Sequence, residues 1–203
     1  MRRFASVAIA GLVVAGAAAA LCLRASAAEE PPHTVVLSDG NFEIRDYPSL
    51  TIAEVTVRAD RNTAAYTGFR KLAGYIFGGN AENQKIEMTA PVIEARAEAA
   101  SAEGGQQQAW TIRFVMPRDF SLAKAPKPDD QSIRMHETPA TRFAVLRYSG
   151  LAGDDTVEAK TRELQSILKA RGLEATGAPL LAFYDPPWTL WFMRRNEIMI
   201  PIR

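Results

Sequence analysis

A chain of 203 residues with 47% apolar and 23% charged side chains has the make-up of one soluble globular domain with a sizeable core. Its 24 basic and 23 acidic residues leave a formal charge of +1, which offers no electrostatic footprint for nucleic acid. The single cysteine, Cys22, lies in the N-terminal apolar run, so disulfides, thiolate metal sites and a cysteine nucleophile are excluded from the remainder.

At the N-terminus, Met1, Arg2 and Arg3 precede an uncharged stretch from Phe4 to Leu23, and Ala25-Ser26-Ala27-Ala28 supplies small residues before Glu29-Glu30. This is the layout of a secretory signal peptide. Residues 1–28 are therefore expected to be cut off on export, which leaves 29–203 as the domain, located in the periplasm or outside the cell. The alternative is an uncleaved membrane anchor facing the periplasm, because residues 4–23 are just long enough to cross a bilayer. Loss of 1–28 removes three arginines and no acid, leaving 21 basic against 23 acidic residues, a formal charge of about −2.

Thr34 to Leu37 reads as a short strand, and Asp39-Gly40 as a turn before Phe42–Tyr47, whose alternation is that of a half-buried strand. Pro48 ends it, and Leu50 to Val57, rich in β-branched residues, reads as the next antiparallel strand. Asn62 is expected to cap a helix with Ala65, Phe69, Leu72 and Ile76 on one face, stopped by Gly78-Gly79-Asn80. A strand from Val92 to about Ala97, a polar hairpin tip from Ser101 to Gln108 and a strand from Trp110 to Met116 follow. Beyond a proline-containing connector, Ser132 to Glu137 and Arg142 to Tyr148 read as a strand pair turned at Thr138-Pro139-Ala140. A second helix is expected from Thr156 to Arg171, with Asp155 and Glu158 spaced as a capping box, Gly172 as its stop, and Val157, Thr161, Leu164 and Leu168 as its face. Each helix follows a strand pair and precedes further strands, so the halves look like diverged copies. Two helices of one-sided apolarity need a curved antiparallel sheet to cover them, which predicts an α+β domain or distorted barrel.

Thr67 to Val92, TGFRKLAGYIFGGNAENQKIEMTAPV, joins the first helix to its glycine stop and to a strand entered through Thr-Ala-Pro. Together with FEIRDYP (Phe42 to Pro48), FVMP (Phe114 to Pro117), the run from Arg142 to Gly150, and YDPP followed by RRNEI (Tyr184 to Ile198), it resembles the SOUL family of haem-binding proteins, as a bacterial, exported member. The resemblance covers nearly all of the chain from Phe42 to Ile202. It implies a distorted antiparallel β-barrel flanked by two α-helices with a pseudo-twofold internal repeat. It also implies non-covalent binding of haem or a related tetrapyrrole in an apolar groove, for transport, buffering or scavenging.

A flat hydrophobic ligand needs an apolar slot with cationic groups at its mouth for its carboxylates. The resemblance puts one wall on the first helix, through Tyr66, Phe69, Ala73 and Phe77, and the facing wall on the loop after Asp185-Pro186-Pro187, through Trp188, Trp191 and Phe192. Arg70, Lys71, Arg194 and Arg195 are the available cations. For the helix residues the competing reading is ordinary core. The exposed apolar cluster from Trp188 to Met193 suggests a binding surface or a membrane contact. Asp46 occupies the position credited with an axial histidine in one family member, while Tyr66, Gly74 and Thr189 stand at positions where basic residues occur. Haem is therefore expected without histidine ligation. The two histidines, His33 and His136, have no local partner for ligation and read as surface polar groups.

No Ser-His-Asp arrangement, metal-ligand cluster or phosphate loop appears, so neither a catalytic residue nor a metal site is expected, and the chain reads as a monomeric binding protein instead of an enzyme. Two other readings stay open. One is a protein-interaction module that uses the aromatic loop and binds no haem. The other is a GyrI-type domain that binds or hydrolyses a small molecule through Glu197, whose pKa would be raised if it were buried alone. The neighbouring Arg194 and Arg195 point to an ion pair instead.

Overall fold

The computed structural model describes residues 28–97, 108–186 and 188–203. The expected leader and anchor stretch apart from Ala28, and all of the polar hairpin tip except Gln108, lie outside the described residues. Nine strands, β1 (Thr34–Asp39), β2 (Phe42–Tyr47), β3 (Leu50–Arg58), β4 (Val92–Arg96), β5 (Ala109–Val115), β6 (Arg134–Thr138), β7 (Thr141–Ser149), β8 (Leu180–Phe183) and β9 (Arg195–Ile202), accompany helices α1 (Arg61–Ile76) and α2 (Asp154–Arg171). The strands form one antiparallel sheet in the order β1-β2-β7-β9-β8-β4-β5-β3-β6, curled into a half-barrel.

The internal repeat is visible in the pairing. In β3-α1-β4-β5 the first strand pairs with the last, which pairs with the strand after the helix, and β7-α2-β8-β9 repeats this pattern. β4 and β8 join the two halves. The strand that leads into each half is exchanged, since β2 pairs with β7 and β6 pairs with β3.

The expected strand pairs β2 with β3 and β6 with β7 are therefore not formed. Both links are two residues long and begin with proline, Pro48-Ser49 and Pro139-Ala140. A two-residue hairpin turn needs positive φ at its first central residue, which the proline ring forbids. Each chain segment turns into the other half instead.

Alternation gives every strand two faces. One is covered by α1, lying on β3 and β5, and by α2, lying on β7 and β9. The main core lies between, around Val55, Leu72, Ile112, Leu164 and Ile198, where each fully buried aliphatic side chain contributes roughly 1.5–3 kcal/mol. The other face has no helix and holds a smaller cluster of Tyr47, Val145, Ala182 and Met199.

The cap of α1 is Asp60, whose side chain accepts a hydrogen bond from the Thr63 amide at 3.0 Å; Asn62, the expected cap, is an exposed residue within the helix. Leu72 and Ile76 of the expected face are buried, but Ala64, Gly68 and Tyr75 complete it in place of Ala65 and Phe69. Gly68 explains the rotation: a Cβ there would lie 2.8 Å from Ile112 Cβ, so the helix backbone rests directly on β5 and Phe69 is turned to the edge. The Gly78-Gly79-Asn80 stop is as expected, and buried Asn80 donates from Nδ2 to the carbonyls of Tyr75 and Gln84 at 3.0 and 2.8 Å. α2 starts two residues before its expected first turn, after Gly153, with no side-chain cap, so the Asp155–Glu158 capping box is not formed. Val157, Leu164 and Leu168 are its buried residues.

Residues Glu29 to His33 run as a strap along the rim of the helix-free face. The Ala90 amide donates to the Glu29 carbonyl at 2.8 Å, Glu30 holds Arg195 at 2.8 and 3.0 Å, and the His33 ring lies 5.0 Å from that of Tyr47.

Candidate functional site

Residues 66, 69, 70, 73 and 77 recur at helical spacing and form a line on the outer side of α1. Tyr66 and Phe77 are 65% and 62% exposed, and Phe69 is 36% exposed with its ring edge against Phe114. Ala73 is half-buried. The Arg70 guanidinium lies 5.7 Å from the Tyr66 ring centroid, and among the described residues it has no carboxylate partner. The helix thus presents an apolar, partly aromatic stripe with one cation alongside, while its opposite face supplies the core.

The loop between β8 and β9 carries a second exposed apolar patch, with Trp188 82% exposed. Its base is fastened: the Thr189 amide donates to the Pro186 carbonyl at 3.0 Å, the Arg194 Nε donates to the Thr189 carbonyl at 2.9 Å, and Asp185 accepts from the Arg195 amide at 2.6 Å. Trp191 and Phe192 meet edge to face at 5.6 Å, in a short 3-10 turn that packs beside β7. The structure therefore gathers the five α1 residues into one stripe, and Trp188, Trp191 and Phe192 into a patch on the β8–β9 loop. Neither the cleft between the helices nor the cavity of the helix-free face is lined by either set.

Of the other cations, Lys71 is bound to Asp130 and Ser132, both at 2.8 Å, and Arg195 to Glu30. Asp46, at the family's histidine position, is tied to Arg142 by hydrogen bonds of 2.6 and 2.8 Å. Gly74 is open, with nothing within 4 Å of a built Cβ. His136 lies opposite Ile52 in the β3–β6 register, on the helix-free face together with His33. Among the described residues no His, Cys, Asp and Glu cluster could hold a metal ion, and no helix is long and apolar enough to cross a membrane.

Glu197 is fully buried, but not alone. It accepts two hydrogen bonds from Arg45 at 2.9 and 3.1 Å, one from the Tyr184 hydroxyl at 2.7 Å and one from Arg195 at 3.1 Å. Burial pushes its pKa up, yet the bonds and charge of Arg45, with Tyr184 and Arg195, outweigh burial and hold it below the usual carboxylate range. The expected ion pair with Arg195 is present. Arg45 is the partner that sequence reading missed, because nothing within FEIRDY points to a residue on the last strand.

Two cavities were also missed. A cleft of about 360 Å³ opens between the helices, lined by Arg61, Arg96, Trp110, Val157 and Leu181 among others. At the start of α1, Arg61 bonds Glu94 at 3.2 Å, Asp154 at 2.6 Å and the Ala152 carbonyl. A second cavity of about 270 Å³ lies on the helix-free face, over Tyr47, Phe143, Leu180 and Met199. Only pairing across both halves assembles these sets.

The sequence pattern of the family described as SOUL heme-binding protein matches residues 28–201. Heme-binding protein 2 of Mus musculus is 26% identical over 175 residues, covering 82% of this chain and 84% of that protein. Heme-binding protein 2 of Homo sapiens is 28% identical over 167 residues, covering 78% and 80%. Among solved structures, the C-terminal domain of EcmrR matches with a TM-score of 0.57 at 13% identity, covering 80% of this chain and 96% of that one. A hydrolase from Listeria innocua matches with a TM-score of 0.55 at 9% identity, covering 83% and 94%. At such identities the two structural likenesses concern the fold alone.

Proposed function

Because the chain belongs to the SOUL family of haem-binding proteins, we propose that it binds haem or a related tetrapyrrole non-covalently on the outer stripe of α1, as a carrier, buffer or scavenger. The observation that carries this reading is the exposure of Tyr66, Phe69 and Phe77 along one line, with Arg70 beside Tyr66. Covering such rings with a flat macrocycle removes apolar surface from water, and a guanidinium at the edge suits a propionate. The Trp188, Trp191 and Phe192 patch is the second apolar surface offered to the ligand. Histidine ligation does not fit, since both histidines are on the helix-free face. The residues fit a porphyrin held by burial, stacking and charge.

Titration of residues 29–203 with hemin and with metal-free protoporphyrin, followed by absorbance and tryptophan quenching, tests the reading. Binding with affinities within about tenfold of each other is expected, because no imidazole–iron bond distinguishes the two. Absence of any Soret change on adding hemin would overturn it and favour a protein-contact role for the aromatic loop. We also infer that residues 1–28 direct export, supported by the arginine pair, the uncharged run and the small residues before Glu29. N-terminal sequencing of the exported protein checks this, and a chain that still begins at Met1 would contradict cleavage.

A further inference from the structure

The haem reading leaves the helix-free face unused, and we propose that its cavity is a separate site for a largely apolar small molecule that carries no positive charge. An antiparallel sheet with one covered face commonly presents polar side chains on the other. Here both helices lie on one side, yet Leu50, Ile93, Phe143, Leu180 and Tyr184 stand half-buried on the other around Met199. They enclose about 270 Å³, close to the lower bound of roughly 300 Å³ for small-ligand pockets.

Charge decides the ligand class. Glu197 would be the natural lure for a cation on this face, but its two oxygens already accept four hydrogen bonds, from Arg45, Tyr184 and Arg195. The Tyr184 hydroxyl is spent on that carboxylate, and the Tyr47 hydroxyl accepts from Arg45 at 3.2 Å. Arg113, the one charged residue among the described residues that line the cavity, donates from Nε to Glu54 at 2.9 Å. A cation would give up its hydration and find no free carboxylate among the described residues, whereas an apolar ligand covers side chains that now face water.

The strap supplies a side wall. Pro31 lines the cavity between Glu29, whose carboxylate accepts from the Arg118 amide at 3.1 Å, and Glu30 on Arg195. Arg195 in turn lies 3.6 Å from the centroid of the Tyr184 ring, so strap and aromatic wall are fastened through one side chain.

Diphenylhexatriene, which fluoresces in apolar surroundings, and its trimethylammonium derivative test the proposal. The neutral probe is expected to bind, and the cation to bind about tenfold more weakly or worse. Thr141→Trp, which places an indole in the cavity from its rim, and Leu50→Gln should each weaken the neutral probe by about tenfold or more while leaving the hemin titration unchanged. Phe69→Ser on α1 should leave probe affinity unchanged. Circular dichroism identifies any variant that fails to fold, and the other variant then decides. Equal or tighter binding of the cation, unchanged probe affinity in a folded cavity variant, or loss of probe binding in Phe69→Ser would each overturn the assignment. Absence of hemin binding would not, because the two sites are read with different ligands.

Discussion

Arg45 on β2 and Glu197 on β9, 152 positions apart in sequence, meet across β7 through two hydrogen bonds of 2.9 and 3.1 Å. Both are buried, so removing one partner strands the other. Arg45→Met should cost about 3–5 kcal/mol in urea unfolding, and adding Glu197→Leu should restore much of that loss. Equal stability of the single and double variants would show that the pair is not the source. Because the folded pKa of Glu197 is depressed, its contribution is in place above the ordinary carboxylate range and is lost as pH falls below it.

Glu94 behaves in the opposite sense. Burial, partly offset by the Arg61 charge and hydrogen bond, pushes its pKa up from 4.5 to about 7. The folded state then binds a proton that the unfolded state releases, so stability falls as pH rises from 4.5 to 7, by on the order of 3 kcal/mol in all. Glu94→Gln should remove that slope. Unfolding measured at pH values on either side of the window, in both proteins, checks it; parallel curves would contradict the shift.

Gly68 and Gly74 lie in the same helix and should respond to alanine with opposite signs. A Cβ at Gly68 would press on Ile112, whereas one at Gly74 meets nothing within 4 Å. Overpacking of about 1–3 kcal/mol exceeds the helix-propensity gain of about 1 kcal/mol at position 68. At position 74 only the gain remains. Thermal unfolding of Gly68→Ala and Gly74→Ala should therefore show a lower and a higher midpoint respectively, and a stabilised Gly68→Ala would refute the close approach.

Replacing Trp188 and Trp191 together by alanine should weaken hemin affinity by about tenfold or more, while His136→Ala leaves it unchanged. The indoles are exposed apolar surface; the imidazole is on the far side of the sheet. Soret titrations of the two variants distinguish the cases, and a loss confined to His136→Ala would point to imidazole ligation.

Local patterns were legible where local physics governs. The alternation of Phe42–Tyr47 marked a strand, and the spacing of Val157, Leu164 and Leu168 marked the buried face of α2, because strand and helix periods are properties of a short segment. In α1 the same spacing marks Leu72 and Ile76 rightly, but Phe69 looks like core to any periodicity, and only the approach of Gly68 to Ile112 turns it outward. At Thr138-Pro139-Ala140 the sequence suggests a turn between paired strands, but the proline ring cannot take the positive φ of a two-residue hairpin, and β6 and β7 pair with β3 and β2 instead.

The amino-acid order by itself determined the family, the two helices, the strands up to β7 and the stop at Gly78-Gly79-Asn80, since these rest on backbone propensity and on residues close together in the chain. Which strand lies beside which, and hence whether Glu197 stands alone or saturated by Arg45, was decided only in three dimensions. Exchange of β2 and β6 between the halves creates those contacts across 152 positions, and interactions that strong depend on distance in space, to which spacing along the chain gives no guide.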